Sequence, residues 1–327
     1  MRRREFITLI GGTATVWPLA ARAQVSGKRP LIGWLGGSSA TASLALVAAF
    51  LKGMQELGYV EGKTFDITYR FAEGHLDRLA ALAEDLVRLK ADVILAFAVS
   101  GTVAAKKVTS TVPIVTPALA DAVELGLIAS EARPGGNVTG LAPYVAGLPG
   151  KQLEIAREVF PGATVIGVLD DVSDVKSAPQ RKEIESMGPN AGMKIVPAEV
   201  GAPDQIDSAF QMLAGEHVQA VIVLQSSMFF GERRRIAASA ASTRLPTTYG
   251  YREQVEAGGL ISYGIDLRAC AHRSAVFVDK ILKGTNPGEI PVEFPTKLEL
   301  VINLKTAKTL GLNLSPTLLD RADEVIE

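Results

Sequence analysis

The chain has one cysteine, Cys270, so no intramolecular disulfide can form. Its three histidines, His75, His217 and His272, stand far apart without ligand-like neighbours, so they read as surface residues and no metal site is expected. The nucleophile elbow G-x-S-x-G, the zinc motif H-E-x-x-H, the phosphate-binding P-loop and the redox pair C-x-x-C are all missing. An α/β enzyme is therefore the weakest of the function classes. Excess basic charge is missing too, since 34 Lys and Arg stand against 35 Asp and Glu. A sequence-independent nucleic-acid binder needs a basic face, so no nucleic-acid partner is expected. Gly33-Trp34-Leu35-Gly36-Gly37 follows a strand-like run but lacks the G-x-G-x-x-G spacing of a dinucleotide loop, so no cofactor is expected either.

Long apolar runs are scarce, and the longest opens the chain. Arg2, Arg3 and Arg4 precede an uncharged stretch from Phe6 to Ala21 that ends in Ala21-Arg22-Ala23. A positive start, a short apolar core and a small-x-small end describe an export signal over residues 1–23, cleaved after Ala23. Arg3-Arg4-Glu5-Phe6-Ile7 also fits the twin-arginine pattern. A membrane anchor is the alternative, but the run of about 16 residues contains Gly11, Gly12 and Pro18, and a span needs about 20. Removal of residues 1–23 takes away four arginines and Glu5, moving the net charge from −1 to −4. No lipobox cysteine stands near Ala23, so the expectation is a free, monomeric protein of the periplasm. Asn137-Val138-Thr139 matches a glycosylation sequon, which a bacterial export signal makes irrelevant.

From Leu31 onward, short apolar runs alternate with amphipathic segments, the sign of parallel α/β sheets. Strands are expected at Leu31–Leu35, Phe65–Tyr69, Asp92–Ala98 and Pro113–Thr116. Helices are expected around Leu44–Met54 and Leu79–Leu86, from Ser100 to about Thr109, and between Asp121 and Arg133. The alternation then restarts at Gln152 and runs through strands at Thr164–Leu169, Lys194–Ala198, Ala220–Leu224 and Pro246–Tyr249. Two similar series predict two Rossmann-like lobes, each a parallel sheet flanked by helices. The tail adds a strand at Leu260–Tyr263 and a helix at Leu267–Leu282, which is expected to return to the first lobe. Three crossovers would then form a hinge. The boundaries that follow are 30–142 plus 258–290 for the N-terminal lobe and 143–257 plus 291–327 for the C-terminal lobe.

In open parallel sheets, ligands bind beyond the carboxyl ends of the strands. Those ends in the first half carry Ser38 and Ser39, then Ser100, Gly101 and Thr102, then Asp121. The serines precede or open helices, whose free N–H groups can cradle a carboxylate. The same positions suit plain N-capping with nothing bound. The second half contributes Asp170, Asp171 and Ser173, then Ser226 and Ser227, then Tyr249 and Tyr251. Acidic groups there would suit a cationic amine. Tyr144, Tyr251 and Tyr263 are placed to stack on an apolar ligand body or to pack at the hinge, and Asp266 either meets the ligand or caps the helix after it.

The chain resembles the periplasmic ABC substrate-binding family that includes tryptophan and phenylalanine binders, with the type I periplasmic-binding-protein fold. The resemblance spans nearly the whole length. It is carried by Glu56-Leu57-Gly58-Tyr59-Val60-Glu61-Gly62, Ala72-Glu73-Gly74, the run from Ala132 to Gly140, Glu256-Ala257-Gly258-Gly259-Leu260, and the closing stretches Leu300–Ala307 and Ala322–Glu327. It implies a hinged pair of lobes, a small-molecule ligand in the cleft and docking onto the membrane subunits of an ABC permease. It also implies ligand contacts from the serines after the first strand, the Ser100 loop and Asp121. Two departures bear on the pocket: Ala120-Asp121-Ala122 replaces the family's frequent Gly-Asp-Pro, and Ala40 stands where a proline often follows the second serine. The implied function is capture of a solute, an amino acid or related carboxylate, for import. The alternative on the same fold is the ligand-sensing module of a chemoreceptor or regulatory system. A DNA-binding repressor would need a helix-turn-helix where the export signal stands.

Overall fold

A computed structural model describes residues 28–142, 147–295 and 298–327. The first apolar run forms β1 (Leu31–Gly36), buried from Ile32 onward. Helix α1 (Ala40–Glu56) follows with Leu46, Phe50 and Met54 on its buried face. Next come β2 (Asp66–Phe71), α2 (Leu79–Arg88), β3 (Val93–Ala96), α3 (Ala98–Val108), β4 (Ile114–Thr116) and β5 (Val138–Gly140). The five strands make one parallel sheet in the order β2-β1-β3-β4-β5. Val93-Ile94-Leu95-Ala96 is wholly buried, as a central parallel strand covered on both faces must be.

The second lobe repeats the plan. It contains α4 (Leu148–Val159), β6 (Val165–Asp171), α5 (Ser177–Met187), β7 (Lys194–Val200), α6 (Ile206–Gly215), β8 (Ala220–Val223), α7 (Ser227–Gly231), α8 (Arg233–Thr243), β9 (Thr247–Tyr249), α9 (Arg252–Glu256) and β10 (Ile261–Ile265). The chain then leaves as α10 (Leu267–Leu282), whose Ala271, Ala275 and Val278 join Leu46, Phe50 and Met54 in the core of the first lobe. It returns as β11 (Leu298–Asn303), antiparallel to β10 with Ile302 opposite Ile261. α11 (Leu304–Leu310), α12 (Pro316–Asp320) and β12 (Glu324–Ile326) end the chain, and β12 lies parallel to β11. The sheet order is β12-β11-β10-β9-β8-β6-β7.

The expected pair of α/β lobes with three crossovers is what forms. The chain passes between lobes after β5, between β10 and α10, and ahead of β11. The first and third crossings run side by side: the Ala142 N–H donates to the Glu293 carbonyl at 2.8 Å and the Glu293 N–H to the Gly140 carbonyl at 3.0 Å. At the second, Asp266 caps α10.

Three sequence expectations are corrected. Residues 258–290 do not travel together, because β10 pairs with β9 and β11 and so belongs to the second sheet; α10 and the segment after it through Ile290 pack on the first lobe. No helix forms between Asp121 and Arg133. The Leu125 N–H closes on the Asp121 carbonyl (2.9 Å) and the Leu127 N–H on that of Ala122 (2.8 Å), but Asp121 (φ 49°) and Gly126 (φ 64°) are left-handed. A right-handed helix cannot pass through two such residues. The strand at Asp92 stops at Ala96 rather than Ala98, and α3 starts at Ala98, so Ser100 and Thr102 lie inside the helix rather than opening it.

Candidate ligand-binding site

The carboxyl ends of β1, β3 and β4 face those of β6, β8 and β9 across a cleft, and a narrow cavity of about 30 Å³ lies between them. Larger hollows exist, as beside Arg244 and Lys305, but that one is lined by the second lobe alone.

Each wall follows from its local fold. After β1 the chain turns at Gly36-Gly37, and Ser39 caps α1 by accepting the Ala42 N–H at 3.1 Å. Ser38 is thereby turned into the cavity, its hydroxyl 2.9 Å from that of Ser43. After β3, Phe97 and Ala98 line the cavity, with Ala98 at φ 62°. A left-handed conformation in a non-glycine residue is strained, and such strain gathers at functional sites. Trp34 stacks behind Phe97 with ring centroids 5.0 Å apart. From the second lobe come Ser226, which caps α7 by accepting the Phe229 N–H at 3.0 Å, then Ser227, Phe230 and Tyr251. The Phe230 and Tyr251 rings meet edge to face at 5.9 Å.

The lobes touch around this cavity. Phe230 and Tyr251 join the apolar cluster of the first lobe, and Arg233 donates to the Ala42 carbonyl at 3.3 Å. Gly37 lies so close to Ser227 that a Cβ on it would stand 2.6 Å from the serine Cβ. The molecule is closed.

The loop after β6 supplies a residue that the sequence reading missed. Lys176 is partly buried and lines the cavity, and among the described residues its Nζ has no hydrogen bond or ion pair. Burial works to lower its pKa. Tyr251 and the carboxylates of Asp174, Asp171 and Asp121 outweigh that and raise it. Each acid of this loop is engaged through at least one oxygen, but Asp171 Oδ2 and Asp174 Oδ2 are buried without a hydrogen-bond partner among the described residues. Asp170 pairs with Arg181 at 2.9 Å and bonds Ser177. Asp171 accepts the Ser173 N–H (3.0 Å) and hydroxyl (2.5 Å), and burial raises its pKa. Asp174 accepts the Lys176 N–H at 3.0 Å. No carboxylate lines the cavity among the described residues. The expected acidic wall for an amine is thus replaced by a cation.

Of the residues predicted from sequence, Ser38, Ser226, Ser227 and Tyr251 meet in the cavity. Asp121 stands beside it, close enough to Lys176 to act on its charge, and burial raises its own pKa. Ser39 caps α1 at the rim. Ser100, Gly101 and Thr102 are buried in the first turns of α3, where Thr102 back-bonds to the Ala98 carbonyl at 2.9 Å and the Ser100 hydroxyl has no partner among the described residues. Ser173 is exposed and spent on Asp171. Asp266 caps α10 at the Ala269 N–H (3.0 Å) and stands outside the cavity. Tyr263 is partly buried in the outer core of the second lobe. Tyr144 and the export signal lie outside the described residues. The sequon Asn137 is buried, its amide donating to the carbonyls of Thr109 (3.1 Å) and Val112 (2.8 Å).

The comparisons with known proteins point one way. The sequence profile of the family described as ABC transporter substrate binding protein matches residues 39–326. A tyrosine-binding protein of Clostridioides difficile (strain R20291) is 26% identical over 263 residues, which is 80% of this chain and 75% of that one. Among solved structures, an ABC domain from Streptococcus pneumonia in complex with L-Trp superposes with a TM-score of 0.83 at 25% identity, covering 91% of this chain and 100% of the other. A conserved domain protein from Vibrio cholerae gives 0.84 at 26% identity, with the same coverage.

Proposed function

The chain belongs to the ABC transporter substrate-binding protein family, and we propose that it captures a small carboxylate with an apolar, aromatic-sized body, closes over it and hands it to a membrane permease. One observation carries this reading. The cavity between the lobes combines serine hydroxyls and a lysine with the rings of Phe97, Phe230 and Tyr251. Polar groups at one end fix a charged head, and apolar walls take the body. The relatives that bind tyrosine or hold L-Trp make aromatic amino acids the first ligands to test. The export signal read over residues 1–23 supports a periplasmic site of action, with the protein acting as a monomer.

The family is one of binding proteins, and the work done here is closure rather than chemistry. A ligand touching both lobes binds the closed state better than the open one and shifts the population by that difference. A shift from 1:99 to 99:1 needs about a 10⁴-fold preference.

A thermal-shift screen of the purified protein against the twenty amino acids and a set of sugars tests the proposal. At 100 times its dissociation constant a bound ligand adds about 2.7 kcal/mol. An aromatic amino acid is expected to raise the melting temperature and the sugars are not. A rise with sugars alone would contradict the reading.

A further inference from the structure

The two walls of the cavity carry complementary halves of one anion site. On the first lobe the hydroxyls of Ser38 and Ser43 sit 2.9 Å apart, and both residues line the cavity. In such a pair one hydroxyl donates to the other, which leaves one O–H free to donate outward. Ser38 also precedes the capped start of α1, a 17-residue helix whose dipole favours negative charge at that end. On the second lobe Lys176 enters the same cavity without a partner among the described residues. Its backbone N–H is held by Asp174 at 3.0 Å. No carboxylate is among the residues that line the cavity, although Asp121, Asp171 and Asp174 stand near enough to act on the charge of Lys176.

We propose that Lys176 is the ion-pair partner of the ligand carboxylate, which it clamps against the Ser38–Ser43 hydroxyl pair, so that the protein selects for a carboxylate on an apolar body and does not require an α-ammonium group. This deepens the function proposed above and rests on it. The clamp draws one half from each lobe, so the carboxylate itself ties the lobes together. A ligand without it loses both the charge-assisted bond and the cross-link.

Calorimetric titration of the full protein with matched probes tests this. The probes are L-tryptophan and L-tyrosine, their deaminated acids (indole-3-propionate and 3-(4-hydroxyphenyl)propionate), and their decarboxylated amines (tryptamine and tyramine). An acid is expected to bind within about tenfold of its amino acid, and the amine at least a hundredfold more weakly, a gap of two powers of ten or about 2.8 kcal/mol. Lys176→Met, which keeps the apolar stem, is expected to weaken amino acid and acid alike by at least thirtyfold, while Lys176→Arg retains most of the affinity. If Lys176→Met binds the amino acid unchanged, or the amine binds as well as the amino acid, the clamp is wrong and the receptor function stands. If the wild type binds none of the six probes, both the clamp and the aromatic carboxylate reading fall.

Discussion

At the residue scale, burial decides what each ionisable group can do. Cys270 sits in α10 among the apolar side chains of the first lobe, and burial pushes its thiol up to about 12. Three pH units above the ordinary value of 9.0 cut the thiolate fraction about a thousandfold, and the thiolate is the reactive form. Native protein at pH 8 is therefore expected to leave a disulfide reagent such as DTNB almost untouched over minutes, and to react with one equivalent once guanidinium unfolds it. Rapid labelling of folded protein would show that α10 opens locally. Residues whose role follows from position alone were legible in the sequence. The rule that ligands gather at strand ends found Ser38, Ser226, Ser227 and Tyr251, all of which line the cavity. Lys176 was not legible. Its loop reads as acidic, and only the folded chain shows Asp170 held by Arg181 and Asp171 by Ser173, which leaves the lysine to face the cleft.

At the element scale, the packing of α1 on α10 sets the frame of the first lobe. Gly53 lies inside α1, where glycine costs about 1 kcal/mol relative to alanine. The contact explains it: a Cβ there would overlap the His272 carbonyl oxygen and press on Ala275. Gly53→Ala is therefore expected to destabilise the protein by about 1–3 kcal/mol, because overpacking against backbone outweighs the propensity gain. Urea denaturation measures it, and a stabilised variant would mean that the helices separate freely. Long elements were legible because their periodicity is long. Of the three-residue strands, β4 and β9 were legible as short apolar runs bounded by prolines or turns, while β5 and β12 were not. The turns from Asp121 to Arg133 failed as a predicted helix because left-handed conformations at Asp121 and Gly126 leave little trace in composition.

At the scale of the whole molecule, the hinge and the cleft hold the lobes by different means. Near the hinge, Arg268 at the start of α10 bonds Glu253 of α9 at 3.0 Å, and Arg273 holds Glu293 of the third crossing through two bonds of 2.8 Å. Around the cleft, closure rests on close approach, most tightly at Gly37 against Ser227. Gly37→Val places a wedge on that contact and also presses on Leu76 of the first lobe. The two-lobe plan was legible from the restart of the β/α alternation after residue 142, but the return of β10 to the second sheet depends on pairing that no local pattern encodes. On the proposed function, ligand binding and lobe closure are one event. Small-angle scattering of the wild type and Gly37→Val, each with and without saturating L-tryptophan or L-tyrosine, tests it directly. The wild-type radius of gyration is expected to fall when ligand is added and the variant's to stay at the larger, ligand-free value. Ligand bound with no change in the wild type, or equal closure in the variant, would contradict it.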